Sequence, residues 1–180
     1  MIKQFIKTTI LIAVLALPLA GTFALSVHAQ TTSSDYELRC EGAQSTLRTT
    51  VRSRDLHTRV DRLQAYRYIE KNLDAFTQRL ENNNQPEAEQ FRELTTQLAT
   101  LIGQFTANYE EYDAARDSVS DIEGCRGNFD AFQKNLYDAR EKRAKVSADV
   151  ADIHSLLDSD VRNQLSTLLE ALQESEVAYE

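Results

Sequence analysis

The clearest hydrophobic pattern lies between Pro86 and Ile122, where Phe91, Leu94, Leu98, Leu101, Phe105, Asn108, Tyr112, Ala115, Val119 and Ile122 recur alternately three and four residues apart. That alternation keeps one stripe of a helix facing a neighbour, as in a coiled coil. Asn108 is the polar member of the row. A single buried asparagine fixes register at some cost in stability, so Asn108 reads as a specificity residue rather than a ligand site. The start of this helix is marked by the turn cluster Asn82-Asn83-Asn84-Gln85, by Pro86 at a first helical position, and by Glu87 and Glu89 near the positive helix end.

Two further helices flank it. Upstream, Leu47, Val51, Leu56, Val60, Leu63, Tyr66, Ile69, Leu73, Phe76 and Leu80 form a broader and less regular stripe. Downstream, Gly124-Cys125-Arg126-Gly127-Asn128 forms a joint, with Asn128 as N-cap. The three-four alternation then resumes through Phe129, Phe132, Leu136, Ala139, Arg143, Val146, Val150, Ile153 and Leu157. Beside Asp158-Ser159-Asp160 the spacing changes to 157, 161, 165, an inserted residue that predicts a kink or a turn. Val161, Leu165, Leu168 and Leu172 make a last apolar face, which either folds back as a short fourth helix or extends onward.

The expected fold is therefore all-α: an elongated antiparallel three-helix coiled-coil bundle of equal reach, with a short fourth C-terminal helix as an option. Helix 1 is placed at about 36–80, helix 2 at 86–123, helix 3 at 128–158 and the C-terminal helix at 160–174, inside a domain at 36–175. A polar spacer at 30–35 precedes it and a polar tail at 176–180 follows.

The register of the first hairpin can be counted. Cys40 lies 43 residues before Asn83 and Cys125 lies 42 after it, so the two would meet at one level, as a disulfide requires. In an oxidising compartment two cysteines in one domain are most simply one bond. That pairing sets Arg48 level with Asp117, Arg52 with Asp113, Arg54 with Glu111, Val60 with Phe105, Leu63 with Ile102 and Leu56 with Tyr109, although a slip of one turn would keep some of these pairs. Counting back along helix 3 puts Ser159 level with Phe91.

The N-terminus gives the compartment. Met1-Ile2-Lys3-Gln4-Phe5-Ile6-Lys7 is followed by an apolar run from Ile10 to Leu19 and by Val27-His28-Ala29, a signal peptide over residues 1–29. If it is retained, the uncharged residues 8–27 would span a bilayer as an anchor. Either way the rest of the chain is expected outside the cytoplasm, secreted or in a cell envelope. Beyond residue 29 it carries 18 basic against 28 acidic side chains, a balance that argues against nucleic acid as a partner.

Candidate chemistry is sparse. His57 and His154 are counted to different levels and read as surface residues. No HExxH, GxSxG or P-loop spacing occurs. The carboxylates of Glu110-Glu111-Tyr112-Asp113 have solvated-face spacing and no EF-hand pattern. No catalytic residue, metal or cofactor is expected. Arg48, Arg52, Arg54, Arg59 and Arg62 concentrate on helix 1 of an acidic chain; either helix 2 neutralises them, or they form a basic stripe that grips a partner protein or an envelope polymer. Tyr68, off the main apolar row, is a second recognition candidate.

The layout of signal segment, polar spacer and one helical domain with Cys40 and Cys125 at the ends of its first hairpin resembles small exported coiled-coil proteins of reduced-genome candidate-phylum bacteria. That resemblance implies an envelope or secreted location. A looser resemblance, to periplasmic helical chaperones, comes from Leu94-Thr95-Thr96-Gln97-Leu98, with no second copy following it. The expectation is a non-catalytic structural or interaction module of the envelope acting through a helical face. A holdase chaperone is the alternative, and an oligomer is left open.

Overall fold

The computed structural model describes residues 33–123 and 127–177, with side chains from 39 to 123 and from 127 to 173. Contacts divide the chain into Met1–Gln30 and Thr31–Glu180. The signal segment, the 8–27 span, Cys125 and residues 178–180 lie outside the described residues. No described helix is long and apolar enough to cross a membrane.

The described residues are all-helical and form three long helical runs packed together. The first comprises α1 (Ser33–Thr46), a π-helical segment (Leu47–Val51) and α2 (Arg52–Asn82); the residues at its junctions keep right-handed helical angles, so the run is continuous. The second is α3 (Ala88–Ser120). The third comprises α4 (Phe129–Ser155), a second π segment (Leu156–Val161) and α5 (Arg162–Val177), again without a break. The inserted residue beside Asp158 is therefore taken up by a wider π turn, and the last helix extends onward instead of folding back. The three runs are not of equal reach: α3, at 33 residues or ~50 Å, is spanned on both sides by longer neighbours. Both outer runs pack on α3.

Two apolar clusters fill the interior. One joins Cys40, Ala115, Val119, Phe132 and Ala139 at the end where Cys40 lies. The other runs from Tyr66, Tyr112 and Val146 toward the α2–α3 connection, through Leu73, Phe91, Leu98, Phe105, Ile153 and Leu168. Phe91, Leu98, Phe105 and Val119 of the predicted α3 stripe are wholly buried. The upstream stripe holds less well: Leu56 and Val60 are 54% and 43% exposed, while their neighbour Asp55 is buried. The first π segment, Leu47–Val51, immediately precedes the five-residue step that the predicted stripe takes from Val51 to Leu56.

The hairpin register differs from the count by one turn. Arg48 pairs with Asp121 instead of Asp117, and Arg52 with Asp117 instead of Asp113. Arg54 makes no ion pair among the described residues. The reason lies in the connection, which runs from Asn83 to Glu87 and is centred on Gln85, so that level partners shift by four residues. Residues four apart share a helix face, which is why the acids still meet the arginines. Pro86 correspondingly sits in a lead-in turn closed by the Ala88 amide on the Gln85 carbonyl at 3.2 Å, not at the first helical position. Asn128 occupies the N-cap position of α4 without a side-chain cap bond; its amide donates instead to the Glu123 carbonyl at 3.1 Å.

The end of α2 explains the asparagine cluster. The Gln85 amide donates to the Leu80 carbonyl and the Asn84 amide to the Glu81 carbonyl, both at 2.9 Å, around Asn84 at φ 52°. This is a Schellman closure with asparagine in the left-handed position that glycine usually takes. Asn84→Ala, which meets the Cβ penalty without asparagine's local hydrogen bonding, should cost about 1 kcal/mol, read from urea unfolding. Asn84→Gly should unfold at or above the wild-type midpoint.

Candidate functional site

Between the two apolar clusters each helical run contributes charge to one point. Asp55 on α2 is 6% exposed and Arg116 on α3 is 4% exposed. Tyr112 donates its hydroxyl to Asp55 Oδ2 at 2.5 Å, and Tyr109 donates to the Asp55 backbone carbonyl at 2.5 Å. Arg116 stands 3.8 Å from the Asp55 carboxylate, 2.7 Å from Asp113 and 3.1 Å from Asp117. From α4, Arg143 reaches over to within 3.8 Å of the other Asp55 oxygen. The guanidinium of Arg59 lies over the Tyr109 ring and that of Arg116 over the Tyr112 ring, at 5.2 and 5.7 Å. Asn108 of the α3 stripe, half-buried, donates to the buried Asp149 of α4 at 2.8 Å, a bond across the two helices.

The electrostatics follow from enclosure. Burial pushes the Tyr109 hydroxyl up to about 12, with the nearby Asp55 and Asp113 charges adding to the effect. Tyr112 is raised further, by burial and then by its bond to Asp55. Burial opposes the Arg116 charge, but Asp117 and Asp113 more than offset it, so the guanidinium is held above its ordinary value. The cluster's buried charges are thus matched within the protein, which makes it a device for aligning three helices.

It belongs to a longer series that the apolar pattern does not reveal. Gln44, Asp55, Tyr66 and Thr77 are all buried, all polar, and spaced eleven residues apart along the first run. Eleven residues are close to three helical turns, so the four share one inward face. Gln44 donates to the carbonyls of Val119 and Ile122 at 3.1 and 3.0 Å. The Tyr66 hydroxyl lies 3.4 Å from Nε2 of His154. Thr77 donates to the Leu73 carbonyl at 2.9 Å and faces the Thr95 hydroxyl at 3.4 Å. The signal available in the sequence was this polar spacing.

The predicted stripe divides. Arg48, Arg52 and Arg59 meet acids of α3, Arg59 lying 3.2 Å from Asp113 and 3.3 Å from Glu110, and Arg48 also donates to the Ser120 carbonyl. Arg54 and Arg62 make no ion pair among the described residues, although the Arg62 charge is near enough to Tyr66 to oppose its burial-raised pKa. Cys40 is buried and is not a free thiol. His57 is exposed and bonded to the Ser53 carbonyl of its own helix, and His154 stacks edgewise on Tyr66, so the two histidines serve different places. Tyr68 is 70% exposed. Leu94-Thr95-Thr96-Gln97-Leu98 lies within α3, with Leu98 wholly buried, and its glutamine stands one residue earlier than in the chaperones' Leu-Thr-x-x-Gln pattern. Among the described residues no three His, Cys, Asp or Glu side chains cluster as a metal site. No protein-family model, curated protein or solved structure matches the chain.

Two measurements test the cluster. Asp55→Ala takes the acceptor from the buried Tyr112 hydroxyl, while Arg116 keeps Asp113 and Asp117, and should cost roughly 1 to 3 kcal/mol; Tyr112→Phe should cost about 2 kcal/mol. Their combination should fall short of the sum in urea unfolding, since both remove one bond; strict additivity would contradict the geometry. With pH the tyrosines set the sign. The unfolded chain ionises them near pH 10, whereas the folded protein holds its Tyr109 proton to about 12. Stability that is full below pH 10 should therefore decline as pH rises toward 12. Tyr109→Phe should flatten that decline, read as the urea midpoint against pH.

Proposed function

We propose that the protein is an exported, non-catalytic structural or protein-interaction module of a cell envelope that works through a helical face. Its described part is read as an antiparallel three-helix coiled-coil bundle, and a disulfide from Cys40 to Cys125, outside the described residues, would close one end. Ion pairs and hydrogen bonds support the helix directions. Arg48 meets Asp121 while Glu81 meets Arg92, and Lys142 meets Glu111 while Gln164 meets Gln90, which supports α3 running opposite to each of its two neighbours. The burial of Cys40 without a free thiol supports the bond, which by closing a long loop would stabilise by about 4 kcal/mol.

One observation carries the functional reading: the division between inside and outside. The buried Asp55 and Arg116 are answered by partners inside the bundle, whereas Leu56 and Val60 on α2 and Leu165 and Leu169 on α5 stand exposed at four-residue spacing on helix surfaces. Apolar residues so placed offer a face to another helix or an extended surface. The arginines of α2 would flank such a contact with a protein or an envelope polymer. The same exposed leucines would suit the alternative, a holdase for unfolded clients.

An aggregation assay separates the two. The scaffold reading expects no suppression of an unfolded client's aggregation at equimolar ratio; suppression there would favour the holdase. For the stripe, Arg48→Gln, Arg52→Gln and Arg54→Gln combined should lower the fraction bound to an isolated envelope preparation severalfold in a sedimentation assay. Unchanged binding would remove these arginines from the contact.

A further inference from the structure

We propose that the valley between α2 and α4 is a binding site for an acidic polysaccharide, held through Arg62, Arg140 and Arg143. The inference rests on the envelope-polymer reading above and narrows it, moving the contact from arginines that α3 neutralises to arginines that it does not.

Two contacts fix the walls of the valley. Arg143 meets Asp55 and His154 meets Tyr66, and in both pairs the α4 residue stands 88 positions after its α2 partner. The two helices therefore lie alongside each other in the same direction at that offset. From these contacts a second strip of α4 continues in steps of three and four through Tyr137, Arg140, Ala144, Ser147, Ala151 and His154, all of them exposed. On α2, the exposed Arg62 stands seven residues after Asp55 and four before Tyr66, between the two points of contact with α4.

Charge in the valley is unbalanced. Arg62 and Arg140 make no ion pair among the described residues. Arg143, 61% exposed, reaches an Asp55 carboxylate that already accepts the Tyr112 hydroxyl and lies 3.8 Å from Arg116. The acids of α4 answer elsewhere. Asp138 meets Lys142 and Asp149 accepts from Asn108, while Glu141 and Asp152 stand two residues from Arg143 and His154, a spacing that turns them to other faces. In a chain with 20 basic against 28 acidic side chains, arginines left without an acid of their own mark a place for an external anion. The planar guanidinium fork suits a carboxylate.

Spacing and surroundings choose the kind of anion. Arg140 and His154 are 14 residues apart, ~21 Å along the helix, which calls for an extended ligand. A dense polyanion such as nucleic acid would meet an acidic protein with too few free cations to answer its charge. An acidic helix would need large apolar side chains to bury, and Leu56 and Val60 stand six and two residues from Arg62, on another face of α2. Between the arginines lie small side chains instead: Ser147 and Ala151 on α4, Thr58 and Ala65 on α2. Tyr137, 63% exposed and three residues from Arg140, adds an aromatic face at the end of the strip. A chain of sugar rings with carboxylates at intervals supplies separated charges for the arginines, hydroxyls for Thr58 and Ser147, and a ring face for Tyr137.

Polygalacturonate tests this on the full-length chain at low salt, with its fully methyl-esterified form as the uncharged comparison. The acid polymer should bind, and the ester at least severalfold more weakly. Arg62→Gln combined with Arg140→Gln should weaken binding about tenfold. Lys71→Gln with Lys145→Gln, an equal loss of exposed charge outside the valley, should change it by less than about twofold. Tyr137→Ala should weaken binding severalfold, all variants keeping the wild-type circular dichroism. No binding of polygalacturonate, or an equal loss in the two double variants, would overturn the site; tighter binding of polyphosphate or polyglutamate would overturn the ligand. Undiminished envelope sedimentation of the Arg62→Gln, Arg140→Gln chain would sink the valley and leave the envelope reading standing, whereas a wild-type chain that does not sediment with the envelope would sink that reading itself.

Discussion

The buried contact between Asp55 and its partners on the other two runs is the constraint around which the rest of the structure is arranged. Removing two charges from water costs several kcal/mol per ion, and a burial of this kind persists only where geometry answers each charge. Here one carboxylate is shared among Tyr112, Arg116 and Arg143, drawn from α3 and α4. Sliding any run by a turn would leave a charge unanswered in the interior. An all-leucine seam imposes no such penalty, because apolar contacts are exchangeable from one layer to the next. The cluster also sits at the boundary between the two apolar clusters, at the height where each would otherwise be free to adjust independently.

The eleven-residue polar series extends that logic along the first run. Gln44, Asp55, Tyr66 and Thr77 each mark the interior once in about three turns, leaving the positions between them to aliphatic and aromatic packing. On α3 the buried set follows sevens, as at Phe91, Leu98, Phe105, Tyr112 and Val119. Seven and eleven residues return to a face with slightly different drift, so helices following the two periods cannot stay in step indefinitely. The π segment at Leu47–Val51 lies between Gln44 and Asp55 and uses one wider turn there. On the third run, buried residues keep sevens from Phe132 through Ala139 to Val146, and the five-residue step from Leu156 to Val161 falls within the second π segment. The second π segment thus stands where the inward-facing pattern of the third run would otherwise lose its phase.

This arrangement explains what could be read from the sequence. The α3 stripe was legible because α3 is flanked on both sides, so its apolar face is nearly all interior and its one asparagine stands out. The first run was harder. Leu56 and Val60 carry the hydrophobicity that a periodic reading seeks, yet the chain turns Asp55 inward, and only tertiary partners make that burial tolerable. The five-residue step from Val51 to Leu56 is of the same kind as the irregularity at 157–165. The first follows directly on the π segment Leu47–Val51 and the second begins within the π segment Leu156–Val161, although only the second was evident as an insertion. The one-turn error in register had a different source: counting assumed a tip at Asn83, while the Schellman closure and the Pro86 turn move the midpoint to Gln85. Charge pairs could not expose the error, because acids at positions 113, 117 and 121 repeat every four residues on one face.

The site was legible only in fragments for a related reason. Arginines on the first run and acids on α3 were visible as a group, and Arg48, Arg52 and Arg59 do meet those acids at the helix boundary. Exposed pairs of that kind contribute ~0.2 to 1 kcal/mol each, and their four-residue repeat makes them tolerant of a slip. The discriminating charges are the enclosed ones, Asp55 and Arg116, whose composition is no different from that of the exposed set. What separates the two groups is the surrounding aromatic wall: Tyr109 and Tyr112 pack edgewise at 5.8 Å, hydrogen-bond Asp55 and lie beneath the guanidinium groups of Arg59 and Arg116. Tyrosine can do this because its ring belongs to the apolar core and its hydroxyl to the polar centre. Tyr112, a member of the hydrophobic stripe of α3, therefore also supplies, with Tyr109 beside it, the donors that make a buried aspartate tenable.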